Sequence, residues 1–206
     1  MPTRLIPRRI ADDVIELQVS SPVEAQTLAS ALREAEPAED VVAGLDRVSV
    51  QFHPSCAEQI EHALQDVTVE NKTKPNSAPP IEIGISYGGE YGPDLASVCE
   101  ALDLSTDAFI EAHTQRIHTV EMIGFTPGFS YISGLPENFS VPRLASPRPR
   151  VPAGSVGASA GFTGIYALNG PGGWPLIGKT DAELFRANNR DPFLLTPGQL
   201  VRFRAL

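Results

Sequence analysis

The chain has 206 residues, of which 42% are hydrophobic and 20% charged, a composition typical of a globular protein with one or two domains. Its net charge is −9, from 16 basic and 25 acidic side chains. This acidity argues against nucleic acid or an anionic membrane surface as the main partner, and no apolar run approaches the roughly 18 residues of a membrane span.

The N-terminal part alternates between strand and helix patterns. The predicted elements are strands over 3–10 and 13–19, a helix from Ser21-Pro22 to about Ala35, two strands between Val41 and Phe52, and a helix that starts at His53-Pro54-Ser55. The helix residues expected to face the core are Val23, Leu28, Ala31, Leu32, Ile60, Ala63 and Leu64. This β-β-α-β-β-α order predicts a small α+β sandwich with its helices on one face of the sheet.

Residues 71–80 (NKTKPNSAPP) have the composition of a linker, so we predict one domain over 1–77 and a second over 78–206. The second begins with an alternating strand, Ile81–Tyr87, and a glycine-rich turn ending at Asp94. The elements predicted after this turn are a helix Leu95–Leu102 capped by Asp94, a helix from Ser105 to His113, and a strand Thr119–Ile123.

Residues 124–180 hold 11 of the 17 glycines and eight of the 19 prolines, which excludes long helices. Short strands joined by shaped loops are expected, with one helical turn near Asp181–Phe185, and this pattern favours a closed or nearly closed β-barrel. The stretch carries four basic and one acidic side chain. It is therefore either a binding region for an anionic ligand or acidic partner, or a solvated loop with stray arginines.

One segment, Gly173–Thr180 (GWPLIGKT), matches the P-loop pattern for binding nucleotide phosphates. Its context argues against that function. A P-loop opens a long helix, whereas here Pro175 removes an amide from the cradle and Leu176-Ile177 is typical of a strand.

Candidate site residues fall into two groups, and neither identifies a catalytic residue. Arg143, Arg148 and Arg150 stand among prolines and, with Lys179, are candidates for binding a carboxylate or phosphate. The candidates for a pocket wall or partner surface are His113, Phe125, Pro127, Phe129, Tyr131 and Trp174. The alternative function of these aromatic residues is to fill the core or plug the barrel.

Histidines and cysteines give no metal-binding pattern, so no metal site is predicted. His113 ends a predicted helix, where an imidazolium would interact favourably with the helix C-terminus, and we favour this structural role over catalysis. Cys56 and Cys99 lie far apart and are expected to be reduced, mostly buried thiols of a cytoplasmic protein.

Several motifs occur in an order that is specific as a set. They are GEYGPDL (89–95), the helix ending at His113, GFTPGF (124–129), Pro142-Arg143, Pro147-Arg148, VPAGSV (151–156) and PGGW (171–174). Together they resemble the family of the B subunits of 5-oxoprolinase. That family also contains the Kip-type (KipI) inhibitors of sporulation histidine kinases and proteins labelled allophanate hydrolase subunit 1. It is similar to one half of the carboxyltransferase domain of urea carboxylase.

The resemblance implies a cyclophilin-like β-barrel after the small α+β domain. It also implies a larger partner subunit built on a related barrel, in a heterodimer or heterotetramer, with or without a third, hydrolase subunit. The activity implied is ATP-dependent opening of 5-oxoproline to glutamate, with ATP, alone or with Mg²⁺, bound at the assembled complex and no activity of the chain alone. Two positions depart from the family pattern, since His118 often corresponds to tyrosine and Lys179 to arginine.

Two alternative functions stay open at this point. The aromatic and proline-rich loops would suit a Kip-type inhibitor that docks on the dimerisation helices of a histidine kinase. The likeness to urea carboxylase would suit a carboxyltransferase or allophanate-hydrolysing subunit.

Overall fold

The computed structural model describes residues 3–33, 38–65, 68–69 and 78–206. The chain divides into two compact units, Met1–Pro75 and Asn76–Leu206. The predicted linker lies outside the described residues as far as residue 77, and the domain limits 1–77 and 78–206 stay predictions. Among the helices that the structure describes, none is long and apolar enough to cross a membrane.

The described residues of the first unit form short strands and two α-helices. These are β1 (Thr3–Arg4), β2 (Pro7–Ala11), β3 (Val14–Gln18), α1 (Pro22–Arg33), β4 (Ala38–Ala43), β5 (Arg47–Phe52), a 3₁₀ turn (Pro54–Cys56), α2 (Ala57–Gln65) and β6 (Thr68–Val69). Strands β2, β3, β5 and β4 form an antiparallel sheet in that order, and β1 pairs with β6. The predicted α+β order of this unit is confirmed.

The two helices share one core with the sheet because alternate residues of the central strands are apolar. Strand β3 buries Ile15 and Leu17, and β5 buries Val48, Val50 and Phe52. These side chains pack in a single cluster with the buried residues of α1 and α2.

The helix faces differ from the prediction at several positions. Val23, Ala31 and Ala63 are exposed, so their assignment to the core is wrong. The predicted Leu28, Leu32, Ile60 and Leu64 are buried, and Ala25 and Ala29 join them in α1.

Glu24 is a buried acidic residue in the first turn of α1, only 4% exposed. It accepts hydrogen bonds from the amide (2.6 Å) and the hydroxyl of Ser20, and its own amide donates to Ser21 Oγ at 3.2 Å. Burial of the charge is thus compensated at the helix N-terminus, where a carboxylate is favourable.

The second unit contains the remaining strands and two further helices. They are β7 (Ile81–Tyr87), α3 (Leu95–Ala101), α4 (Thr106–Thr114), β8 (His118–Ile123), β9 (Ser130–Ser133), β10 (Arg148–Val151), β11 (Ser155–Ser159), β12 (Phe162–Ile165), β13 (Gly170–Gly172), β14 (Leu176–Lys179) and β15 (Leu200–Ala205). Ser105 caps α4 as expected, accepting a hydrogen bond from the Ala108 amide at 3.1 Å.

Seven of these strands close into a barrel in the order β11-β12-β9-β8-β15-β7-β14, which confirms the predicted closed barrel. All neighbours are antiparallel except β15 and β7, which run parallel, so the last strand lies between β7 and β8. Every barrel strand contributes to one buried apolar cluster, together with residues of α3 and α4, and this cluster fills the barrel interior.

Two predicted details of this unit are wrong. Asp94 precedes α3, but its side chain makes no capping hydrogen bond, because the carboxylate is bonded to Arg148 and the Leu176 amide. The segment Asp181–Phe185 forms no helical turn and instead ends in a β-bridge between Phe185 and Phe193.

Candidate functional site

The candidate site lies on the outer face of the barrel wall formed by β9 and β12. Side chains of β12 alternate across this wall, so Thr163 and Ile165 face the barrel interior. Gly164 faces outward, towards Phe129 and Trp174. Beyond the end of β12, Tyr166 also belongs to the outer cluster.

Four aromatic rings pack edge to face in this outer cluster. Phe129 is central, with ring centroids 5.0 Å from Tyr131, 5.0 Å from Tyr166 and 5.6 Å from Trp174. Phe129 and Trp174 are 2% and 5% exposed. They reach the barrel wall because position 164 is glycine, where an added Cβ would lie 2.7 Å from an atom of each ring.

Tyr166 is fixed by its hydroxyl as well as by its ring. Burial raises the pKa of the Tyr166 phenol, against a smaller opposing effect of a hydrogen bond from the Trp174 backbone. The hydroxyl lies directly against Gly172, in the space that a Cβ would fill. The glycines of the PGGW segment therefore let the backbone approach this hydroxyl closely.

These rings and Arg143 form a small pocket of about 60 Å³. Its lining residues are Phe125, Phe129, Tyr131, Arg143, Tyr166, Gly172, Gly173 and Trp174. The Arg143 guanidinium acts to lower the pKa values of Tyr131 and Tyr166, although burial raises both overall. Within the described ranges, Arg143 forms no salt bridge and no side-chain hydrogen bond.

Phe125 stands at the rim of the pocket in an unusual backbone conformation. Its φ is +68°, and the Thr126 amide donates to the Gly124 carbonyl at 2.8 Å, which defines a tight γ-turn centred on Phe125. A bulky residue with positive φ is rare and strained. The ring is nevertheless 61% exposed and contacts Phe129 edge to face at 5.5 Å.

Asp94 holds the opposite side of the pocket in place. One carboxylate oxygen pairs with Arg148 Nη2 at 2.7 Å, and the other accepts a hydrogen bond from the Leu176 amide at 2.6 Å. Arg148 lies on β10 opposite the pocket residue Gly172 of β13, and Leu176 follows Trp174 by two residues. Asp94 thus ties both ends of the loop that carries Trp174.

The inner face of the same wall holds a buried polar network around His113. Its Nδ1 lies 2.5 Å from the Tyr87 hydroxyl and its Nε2 lies 2.8 Å from Thr163 Oγ1. His118 Nε2 lies 2.8 Å from the His113 carbonyl oxygen. The His113 and Phe203 rings stack with centroids 4.5 Å apart.

Burial, and then the charge of His118, hold the pKa of His113 well below its ordinary value of 6.5. Burial also lowers the pKa of His118, although its hydrogen bonds to two backbone carbonyls oppose this shift. His113 is therefore neutral, and the expected imidazolium at the helix C-terminus is wrong. Nowhere in the described part of the chain do three or more His, Cys, Asp or Glu side chains group to hold a metal ion.

Comparison with known proteins shows the family of this chain. The chain matches the family described as carboxyltransferase domain, subdomain C and D, over residues 9–195. The chain belongs to this family. The resemblance inferred from the ordered motifs is confirmed.

Three curated relatives are named as the B subunit of 5-oxoprolinase. The Haemophilus influenzae protein is 41% identical over 170 residues, which are 80% of this chain and 78% of the relative. The Bacillus subtilis and Escherichia coli O157:H7 proteins are 46% and 49% identical over 123 residues, 60% of this chain. These two alignments span 51% and 56% of the relatives, about half of their length.

Solved structures share the carboxyltransferase-domain fold over nearly the whole chain. The protein TTHA0988 is 31% identical, with a TM-score of 0.78 over 98% of this chain and 41% of its own. The uncharacterised protein PH0987 of Pyrococcus horikoshii is 31% identical, with a TM-score of 0.60 over 98% and 97% of the two chains. Urea carboxylase of Kluyveromyces lactis is 14% identical with a TM-score of 0.76 over 98% of this chain and 22% of its own, and that likeness shows the fold alone.

The fold brings half of the predicted site residues together. Phe125, Phe129, Tyr131, Trp174 and Arg143 line the pocket. The remaining candidates lie outside it: Arg148 in its ion pair with Asp94, Arg150 exposed on β10, Lys179 half-buried on β14, Pro127 exposed, and His113 in the barrel interior. The predicted ligand-binding roles of the three cationic residues stay predictions, as do the predicted pocket or partner-surface roles of Pro127 and His113.

Sequence reasoning missed Tyr166, Gly172 and Gly173 as lining residues. Tyr166 lies in the same glycine-rich stretch as the other aromatic residues, two positions after Gly164. The alternation of Phe162, Gly164 and Tyr166 on one strand face was the available signal.

The P-loop-like segment does not form a phosphate cradle. Leu176–Lys179 is the barrel strand β14, paired with β11 and β7, and its neighbour Thr180 donates its amide to the Gly154 carbonyl at 2.8 Å. The amides that a P-loop would turn towards phosphates are used elsewhere, since the strand is paired within the barrel sheet and the Leu176 amide donates to Asp94. The described residues therefore do not fit a nucleotide site of this type.

Proposed function

We propose that this chain is a non-autonomous subunit of an ATP-dependent 5-oxoprolinase, which opens the lactam ring of 5-oxo-L-proline to give L-glutamate. The observation that carries the proposal is its 41–49% identity to three proteins named as the B subunit of 5-oxoprolinase. The word subunit in those names supports partner subunits, and we propose a larger subunit with a related barrel, joined in the complete enzyme by a third, hydrolase subunit. The complex is proposed to be cytoplasmic.

The pocket suits such a subunit better than it suits a complete enzyme. It offers a guanidinium, two phenol hydroxyls and aromatic walls, whereas opening an amide also requires an activated nucleophile. A space of about 60 Å³ is far smaller than the several hundred Å³ of a typical cofactor site. We therefore propose that the chain has no activity alone and that ATP, with Mg²⁺, binds at the assembled complex.

Reconstitution of the complex tests the proposal. The chain is purified with and without its partner subunits, and glutamate formed from 5-oxoproline is measured with and without ATP. Glutamate is expected only when all subunits and ATP are present. Absence of glutamate from the full set would contradict the proposal, and glutamate from the chain alone would contradict its non-autonomy.

The family description favours a second candidate, a carboxyltransferase or allophanate-hydrolysing subunit. The same reconstituted complex can be assayed with allophanate, and with urea plus a biotin carboxylase. Turnover of these substrates without turnover of 5-oxoproline would favour the second candidate.

A further inference from the structure

The chain gives its two pocket-side arginines different environments. Arg148 is paired with Asp94 at 2.7 Å, and the Asp94 side chain is 14% exposed. Arg143 lines the pocket, and among the described residues no carboxylate pairs with it, although the chain as a whole carries 25 acidic side chains. Arg143 is exposed, so its guanidinium is open to an anion that comes from outside the chain.

The size and lining of the pocket restrict this anion. A water molecule needs roughly 10–15 Å³ of such volume, so about 60 Å³ admits a group of only a few heavy atoms. Apart from the Arg143 guanidinium, the polar groups of the lining side chains are the hydroxyls of Tyr131 and Tyr166 and the indole N–H of Trp174. One guanidinium pairs in a bidentate way with a carboxylate or a phosphate, and the carboxylate is the smaller of the two groups. The edge-to-face rings supply flat apolar walls.

Phe125 adds an observation that is independent of charge. Its ring is held 61% exposed at the pocket rim by a turn in which only glycine is unstrained. Strain of this kind clusters at binding sites. An exposed aromatic ring such as that of Phe125 gains contact area when a flat ligand lies against its exposed side.

We propose that the outer pocket binds the carboxylate end of a small flat ligand, whose carboxylate group enters the pocket and pairs with Arg143 and whose ring lies against the exposed side of the Phe125 ring at the rim. The choice of 5-oxoproline as the ligand of this class rests on the proposed function, since it is a planar five-membered lactam bearing one carboxylate. Arg143 selects ligands that carry an anionic group, and Phe125 selects ligands that have a flat ring.

Fluorescence of the full chain tests this site directly, because Trp174 is the single tryptophan of the sequence and lies in the pocket wall. Three probes are titrated: 5-oxoproline, 2-pyrrolidinone, which has the ring without the carboxylate, and inorganic phosphate. A saturable signal is expected with 5-oxoproline, with about 10- to 100-fold weaker binding of 2-pyrrolidinone, the contribution of a charged hydrogen bond. Equal or tighter binding of phosphate would overturn the carboxylate assignment.

Matched variants show which residues the fluorescence change depends on. Arg143→Met is expected to weaken 5-oxoproline binding about 10- to 100-fold, to the level of 2-pyrrolidinone. Phe125→Ala should weaken both ring compounds about 3- to 10-fold. Arg202→Met is the control, because Arg202 is exposed on β15 and does not line the pocket, and it should bind as the unmodified chain does. Unchanged binding by Arg143→Met would overturn the proposal.

The reconstituted enzyme separates this inference from the proposed function. Glutamate production with an unchanged KM in the Arg143→Met complex would overturn the pocket assignment and leave the function standing. Saturable binding that depends on Arg143, without any glutamate from the complete complex, would overturn the function and support the pocket. No binding of 5-oxoproline by either the chain or the complex would overturn the pocket assignment.

Discussion

Polar side chains on the two faces of one barrel wall have opposite environments. On the inner face, Thr163 and Tyr87 satisfy both nitrogens of the fully buried His113. On the outer face, Arg143 has no carboxylate partner among the described residues, and Phe125 is held in a strained turn. The polar groups on the inner face have their hydrogen-bond partners within the fold. Arg143 is instead exposed and Phe125 is strained, so the outer groups are open to a ligand whereas the inner groups are not.

The largest expected loss of stability comes from removing a side chain on the inner face. His113→Ala leaves a cavity and two buried hydroxyls without their partner, so we expect a loss of about 3–5 kcal/mol in the free energy of unfolding. Arg143→Met on the outer face should change it by less than about 0.5 kcal/mol. Urea unfolding followed by Trp174 fluorescence measures both. Similar losses for the two variants would show that Arg143 has a structural partner.

A smaller loss is expected from Gly164→Ala, which pushes a methyl group into the outer cluster. The added Cβ would lie 2.7 Å from ring atoms of Phe129 and Trp174, and we expect overpacking to cost about 1–3 kcal/mol and to shift the tryptophan emission. Gly170→Ala is the matched control, because nothing lies within 4 Å of the Cβ added there. Unchanged emission and stability in Gly164→Ala would contradict the close packing of rings on the wall.

The pH dependence of stability tests the neutral state of the inner histidines. His113 and His118 have pKa values below 6.5 in the fold, whereas both take up protons near pH 6.5 once unfolded. The unfolded state therefore binds more protons below pH 6.5. Stability should fall as the pH drops through this value, by up to about 1.4 kcal/mol per pH unit for each histidine.

Unfolding free energies measured at several pH values around 6.5 give this slope. His118→Gln should lower the slope by the contribution of one histidine. A slope of zero below pH 6.5 would mean that the inner imidazoles accept protons within the fold.

The smallest expected effect concerns backbone strain on the outer face. Phe125→Gly and Phe125→Ala both remove the ring, but only glycine accepts a φ of +68° without strain. We expect the glycine variant to be more stable than the alanine variant by about 1 kcal/mol, with equally weakened ligand binding. Equal thermal unfolding of the two variants would indicate that residue 125 is not strained.

Local patterns in the sequence were sufficient for most of the architecture. The alternation of Ile81–Tyr87 predicted a barrel strand, and Ser105 predicted the start of α4. The prediction at Asp181–Phe185 failed because a β-bridge to Phe193 outweighs the local helical pattern. Asp94 has the position of a helix cap, but its carboxylate is taken by Arg148, 54 residues away.

The site depends on contacts that local patterns do not contain. Arg143 and Arg148 have similar proline-rich neighbours, and only the distant Asp94 separates the paired arginine from the unpaired one. His113 is likewise distinguished by Thr163, 50 residues later. The positive φ of Phe125 could not be foreseen either, because phenylalanine rarely takes this conformation and glycine takes it readily.

The position of β15 has a consequence for the order in which the barrel forms. This last strand lies between β7 and β8, and it bonds in parallel to β7, which is made more than 100 residues earlier. While the chain is being synthesised, β7 and β8 each keep an open edge until residues 200–205 have emerged. Closure of the barrel is therefore a late, long-range event, and the newly made chain is most exposed to aggregation just before its last strand arrives.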